Sequence, residues 1–173
     1  MNTKHILLST VLAIALTLPI FSQHNNDNQT RTYTKAEDIA RMIGKPTFDS
    51  TADDLNMKVW IVTQEVNRKM MKGKMGQIMR GKKEPSLRHQ MMSGTHHFML
   101  FLKDAVSGME IAECSANLRL ESPSMKESTV NLKSIMRHFA NGLALEEKGE
   151  YLFTVSANVR GVDKTIRFRY RVK

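Results

Sequence analysis

The chain of 173 residues is poor in the features that most often reveal a site or a fold. It has a single cysteine, Cys114, so an intrachain disulfide framework and a zinc site built on four cysteines are both excluded. It also lacks a nucleophile elbow, a glycine-rich phosphate loop and a His-Glu-x-x-His pair. These absences argue against an enzyme, and we expect a binding or carrier function.

Positive charge and methionine are present in excess. The sequence has 26 lysines and arginines against 17 acidic residues, a formal net charge of +9, and 13 methionines. Its length suits one domain with a tail. A hydrophobic fraction of 41% is too high for a wholly disordered chain, so we expect a folded core.

Residues 1–22 have the pattern of a secretory signal peptide. Lys4 precedes an apolar run at residues 6–18, and Ser22 offers a small residue just before a plausible cleavage point. The run is short for a membrane-spanning helix. We therefore predict cleavage near Ser22 and an exported, periplasmic location.

Residues 23–55 are predicted to form a polar lead that contains one short helix. The pattern Thr-Lys-Ala-Glu at residues 34–37 is a capping box, and Gly44 and Pro46 provide a stop. Nothing in this segment suggests chemistry.

Residues 56–173 change to a period of two, which is typical of β-strands with one buried face. The alternation is clearest at residues 112–121, 151–159 and 166–172, and turn residues separate the segments. About seven such strands predict an all-β fold, an immunoglobulin-like antiparallel β-sandwich. We expect Cys114 on the inward face, as a buried structural thiol.

A long basic, methionine-rich loop is predicted at residues 67–95, between the first two strands of the sandwich. Eight basic residues lie at 68–88 and six methionines at 70–92. Three interpretations stay open: soft metal binding through thioether sulfur, a basic amphipathic segment for an anionic surface, or a solvated loop.

Histidine and methionine also occur together at two later places. His96, His97 and Met99 open one predicted strand, and Met136 and His138 are two residues apart in another. Since neighbours in a strand point to opposite faces, at most one of His96 and His97 is expected to join a given site. Thioether and imidazole donors together favour Cu(I) over hard cations.

The order of these motifs resembles small exported bacterial sandwich proteins of the YtkA-like kind. The resemblance covers residues 57–173 and rests on Gly-Thr-His-His-Phe-Met at 94–99, Lys-Asp-Ala-Val-Ser-Gly at 103–108, Arg-His-Phe-Ala at 137–140 and Glu-Lys-Gly-Glu-Tyr at 147–151. More distantly, the chain is similar to periplasmic copper-associated iron-uptake proteins, whose histidines and methionines hold a copper ion.

This resemblance implies that His138 and either His96 or His97 are metal ligands, with Met99 or Met136 as the soft partner. Combined with the loop sulfurs, it predicts a protein that handles Cu(I) or a related soft transition metal. The predicted ligands are His96, His97, His138, Met99, Met136, Met91 and Met92.

The competing prediction is a non-metal interaction module. In this alternative the basic loop binds anionic lipid, a surface polymer or an acidic partner protein, and binding weakens with salt. We expect no nucleic-acid partner, because export removes the usual one and the basic stretch lacks aromatic residues for base stacking.

Overall fold

The computed structural model describes residues 35–52, 54–72 and 85–173. These residues form three helices, α1 (Ala36–Ile43), α2 (Gln64–Lys72) and α3 (Pro85–Met92). They also form eight strands: β1 (Phe48–Ala52), β2 (Leu55–Thr63), β3 (His96–Asp104), β4 (Ser115–Glu121), β5 (Glu127–Ile135), β6 (His138–Leu143), β7 (Gly149–Val159) and β8 (Val162–Val172).

The eight strands belong to one antiparallel sheet with the order β1-β2-β3-β6-β5-β4-β7-β8. The prediction of an all-β fold is confirmed. The immunoglobulin-like sandwich of about seven strands is not confirmed, because β5 joins the two halves into one sheet. Residues 127–132 of β5 pair with β4, and residues 133–135 pair with β6.

The strands with the strictest alternation form as their sequence predicts. In β4, Ala116, Leu118 and Leu120 are buried while the residues between them face outwards. A hairpin joins β7 to β8, with its turn at Arg160 and Gly161. Both turn residues have positive φ, as a two-residue turn that matches strand twist requires.

The sheet curls until its two edge strands approach each other. The ring of Phe48 in β1 stacks on that of Phe168 in β8, with centroids 4.6 Å apart. The main core fills the inside of the curl and takes residues from both halves, among them Phe98 and Phe153. Cys114 is half-buried against this core, and burial raises its pKa.

A second core lies on the outer face of β2, β3 and β6, beneath the helices. It contains Ile39 from α1, Met70 from α2 and Met91 from α3, together with Trp60 of β2. Trp60 donates its indole N–H to the carbonyl of Gly44 at 3.0 Å, which ties the end of α1 to the sheet. The predicted short helix is therefore present and belongs to the folded body.

The sequence-based boundaries differ from the structure in two places. The folded body begins before residue 56, because β1 lies within the segment predicted as a polar lead and pairs with β2. The predicted loop at residues 67–95 is partly helical, since it includes most of α2 and all of α3. Its middle, residues 73–84, lies outside the described residues, as does the predicted signal peptide at 1–22.

The helices do not have the dimensions of membrane spans. Within residues 35–52, 54–72 and 85–173, no helix is both long enough and apolar enough to cross a bilayer.

Candidate metal centre

The alternation of β3 separates its side chains into two groups. Phe98 and Leu100 enter the main core, whereas Met99 and Phe101 enter the core beneath the helices. His97 lies two residues before Met99 and therefore shares its face. His96 lies on the opposite face.

His138 reaches the same helix-covered face from β6. It follows a two-residue turn at Met136 and Arg137, where φ is 46° and 71°. Ile135 and His138 pair across that turn. The imidazole of His138 stacks on the ring of Phe101, with centroids 4.9 Å apart and 14° between the planes.

Four buried thioethers belong to the core on this face, from four different elements or turns. They are Met70 of α2, Met91 of α3, Met99 of β3 and Met136 of the turn before β6. We call these four methionines, with His97 and His138, the His–Met cluster. Met70 is the member that the sequence did not predict as a ligand, because nothing in the local pattern distinguishes it from its neighbour Met71.

The register of β3 and β6 determines how the two histidines are spaced. His97 pairs with Gly142 and Met99 with Ala140, so His138 lies two further positions along the ladder. His97 and His138 are therefore four positions apart along the strand direction, which corresponds to about 13 Å. Along the strand direction, the backbone position of Met99 therefore lies midway between those of the two histidines.

The hydrogen bond of His97 defines its tautomer. Its Nδ1 lies 3.2 Å from the carbonyl oxygen of Met91. A carbonyl can only accept, so Nδ1 carries the proton of the neutral ring and Nε2 has the lone pair.

Both imidazoles are neutral near pH 7. Burial lowers the pKa of His97 to about 4, against a small opposing effect of the Met91 carbonyl. Burial also lowers the pKa of His138 to about 3; the nearby His97 contributes to this shift, and the backbone of Met136 opposes it. Each side chain is 2% exposed. Neutral imidazole is the form that binds metal ions.

His138 contains a polar atom that protein contacts leave unsatisfied. In the described part of the chain its Nδ1 is buried and has no partner at hydrogen-bond distance and angle; the backbone of Met136 acts on the pKa of the ring without meeting that geometry. A buried polar atom without a partner is unfavourable by about 1–3 kcal/mol, and such atoms call for an explanation. Here the unpartnered nitrogen belongs to a face that also carries four thioether sulfurs.

Two of the predicted ligands lie apart from the His–Met cluster. The Nδ1 of His96 is 2.9 Å from the hydroxyl of Thr95, and its ring meets Tyr170 edge-on on the main-core side. Met92 is only half-buried, and its sulfur accepts a 3.5 Å hydrogen bond from the amide of Asn67. His96 and His97 therefore lie on opposite faces of β3, as expected for neighbours in a strand, and only His97 belongs to the cluster.

The six residues of the His–Met cluster include no carboxylate. Over the described ranges, no group of three or more His, Cys, Asp or Glu side chains is arranged to hold a metal ion. The donors that the structure does bring together are neutral imidazole nitrogen and thioether sulfur. Such donors suit a soft ion of low charge.

Comparison with known proteins identifies no family for this chain. No protein-family model matches it, so the resemblance to YtkA-like proteins is not confirmed, and no curated protein matches it significantly. Among solved structures, it is similar to the PmoD soluble domain from a Methylocystis species. That likeness has a TM-score of 0.40 at 11% identity, and it covers 72% of this chain and 96% of that one. We draw neither fold nor function from a likeness at this level.

Proposed function

We propose that this protein binds Cu(I), or a related soft metal ion, through the His–Met cluster and serves in metal handling outside the cytoplasm. The observation that carries the proposal is the buried, unpartnered Nδ1 of His138 on a face lined by thioethers. A ligand on that nitrogen would remove the penalty of an unsatisfied polar atom. No catalytic step is part of the proposal.

The donor set supports a soft monovalent ion. The backbone position of Met99 lies between those of two histidines whose imidazoles stay neutral well below pH 7. Thioether sulfur is a soft ligand that contributes no charge, so a monovalent ion is easier to bury among these donors than a divalent one. Ca²⁺ and Mg²⁺ require oxygen ligands and gain little from this set.

The outer surface of the helical cover favours a second, weaker candidate function. In α2, Arg68, Lys69 and Lys72 are exposed, and Lys69 also forms an exposed ion pair with Glu65 at 2.7 Å. Met70 of the same helix is buried against the sheet, which leaves the described part of α2 without a free apolar face for lipid. This alternative therefore predicts binding by charge alone, to an anionic lipid surface or an acidic protein, that disappears at high salt.

Native mass spectrometry of the full chain with Cu(I), under reducing conditions, tests the proposal. We expect uptake of one ion at micromolar metal, uptake of Ag(I) as a redox-inert soft ion, and no uptake of Mg²⁺. The double substitution His97→Leu and His138→Leu should abolish uptake. His96→Leu is the matched control, because it removes a buried histidine from the opposite face. Unchanged mass with Cu(I), or equal uptake by the double variant, would reject the metal site.

Salt dependence separates the alternative function from metal binding. Vesicles containing anionic lipid should retain the protein at low ionic strength under the alternative, and replacement of Arg68, Lys69 and Lys72 by glutamine should release it. The His97 and His138 substitutions should leave that retention unchanged.

A further inference from the structure

Two buried amide side chains lie under the C-terminal end of α3. Gln64 and Asn67, both in α2, are 4% and 2% exposed. The carbonyl oxygen of the Gln64 side chain accepts a hydrogen bond from the Asn67 amide at 2.9 Å. Buried amides need partners, and these two find the rest of theirs in the segment that leads from α3 into β3.

Gln64 holds that segment through three carbonyl groups. Its side-chain nitrogen lies 3.1 Å from the carbonyl oxygen of Met91, 2.7 Å from that of Ser93 and 3.1 Å from that of His96. The amide cannot be reversed, because its oxygen would then face three carbonyl oxygens. The main chain adds a further tie, since the Gln64 N–H donates to the carbonyl of Thr95 at 2.9 Å.

The Met91 carbonyl is the point at which these contacts converge. It belongs to the last turn of α3, where carbonyls have no partner within the helix. It accepts from the amide nitrogens of Gln64 and Asn67, at 3.1 and 3.3 Å, and from Nδ1 of His97 at 3.2 Å.

The close approach of α3 to the sheet depends on Gly142, the cross-strand partner of His97. A Cβ at position 142 would lie 2.3 Å from the carbonyl oxygen of Ser93 and 2.7 Å from that of Gln90. Because glycine leaves this space open, the end of α3 can rest directly on β6 beside His97.

We propose that Gln64 and Asn67 are positioning residues, which hold the Met91 carbonyl against His97 and thereby keep the His97 proton on Nδ1 and its lone pair on Nε2. The consequence for metal binding rests on the proposed function, since only a bound ion would use that lone pair. Metal-binding histidines generally donate their other ring N–H to a carbonyl or a carboxylate, and loss of that contact typically lowers metal affinity 10–100-fold.

Nitrogen-15 NMR of the metal-free full chain, with labelled histidine, tests the positioning without any metal. The resonances of His97 are assigned by their loss in His97→Gln. In the wild type we expect a protonated Nδ1 and an unprotonated Nε2. The opposite tautomer in the wild type would overturn the inference before any further variant is made.

Two separate substitutions then test the amide pair. If one variant fails to fold, the His97 tautomer can still be measured in the other. Gln64→Leu and Asn67→Leu should each move His97 towards a mixture of the two tautomers. Gln90→Leu is the matched control, because it removes an exposed amide from α3 and should leave the tautomer unchanged. An unchanged tautomer in either folded amide variant would refute the positioning role.

Cu(I) affinity, measured by competition with a chromogenic chelator, provides the second readout. A folded Gln64→Leu or Asn67→Leu variant should bind Cu(I) about 10–100-fold more weakly than the wild type. If the tautomer shifts while the wild type itself binds no Cu(I), the positioning stands and the proposed function fails. If the tautomer shifts and Cu(I) affinity is unchanged, the link between positioning and metal binding is rejected.

Discussion

Replacing His138 with leucine should make the metal-free protein more stable. Leucine is close to histidine in volume and has no polar atom, so it removes the unpartnered Nδ1. The gain is about 1–3 kcal/mol for an unsatisfied buried polar atom, less about 0.5–1.5 kcal/mol for the lost stacking on Phe101. The net expectation at pH 7 is a gain of about 1 kcal/mol in the free energy of unfolding.

The advantage of His138→Leu should grow in acid. In the folded wild type the pKa of His138 is lowered to about 3, whereas in the unfolded chain it is near 6.5. Below pH 6.5 the unfolded chain therefore binds a proton that the folded chain does not, and stability falls down to about pH 3. At pH 5 this lowers wild-type stability by about 2 kcal/mol, so the leucine variant should lead by about 3 kcal/mol.

Urea unfolding of the metal-free chain at pH 7 and pH 5 measures both effects, provided that the m-values agree. His96→Leu serves as the control at pH 7. That substitution breaks the 2.9 Å contact with Thr95 and should lower stability. Destabilisation of His138→Leu at pH 7 to the extent seen in His96→Leu would contradict this expectation, as would a stability advantage over the wild type that does not increase at pH 5.

Two further substitutions address the donor set and the helical cover. Met99→Leu preserves volume, so it should change the free energy of unfolding by less than about 1.5 kcal/mol while lowering Cu(I) affinity at least 10-fold in a chelator competition. Met109→Leu, at an exposed methionine, is the control and should change neither stability nor Cu(I) affinity. Equal Cu(I) affinities for the wild type, Met99→Leu and Met109→Leu would count against a ligand role for Met99. In Gly142→Ala the new Cβ would meet the carbonyl of Ser93, so the free energy of unfolding should fall by about 1–3 kcal/mol. Amide hydrogen exchange in α3 should become faster for the same reason, and an unchanged exchange rate would contradict the close contact.

Much of the sheet could be predicted from the sequence, but its pairing could not. Strict alternation identified β4, β7 and β8, because each has one buried face and one exposed face. β1 was missed, since its five residues, Phe-Asp-Ser-Thr-Ala, contain a single large apolar side chain. The continuous sheet depends on long-range pairing of β5 with both β4 and β6, which no local pattern records.

The site was predictable only in part, because local sequence patterns do not record which elements pack together. The sequence predicted that at most one of His96 and His97 would join a given site, and the structure has the two on opposite faces of β3. The choice between His96 and His97 required knowledge of which face the helices cover. The contributions of Met70, Gln64 and Asn67 depend on how α2 and α3 dock on the sheet, so the sequence offered no signal for them.

X-ray absorption at the copper edge of the Cu(I)-loaded chain identifies the atoms that bind the ion. We expect sulfur and imidazole nitrogen in the first coordination shell, with the imidazole signal lost from the His97→Leu and His138→Leu double variant and retained in His96→Leu. A first shell without sulfur, or a spectrum that the double variant leaves unchanged, would contradict the proposed metal site.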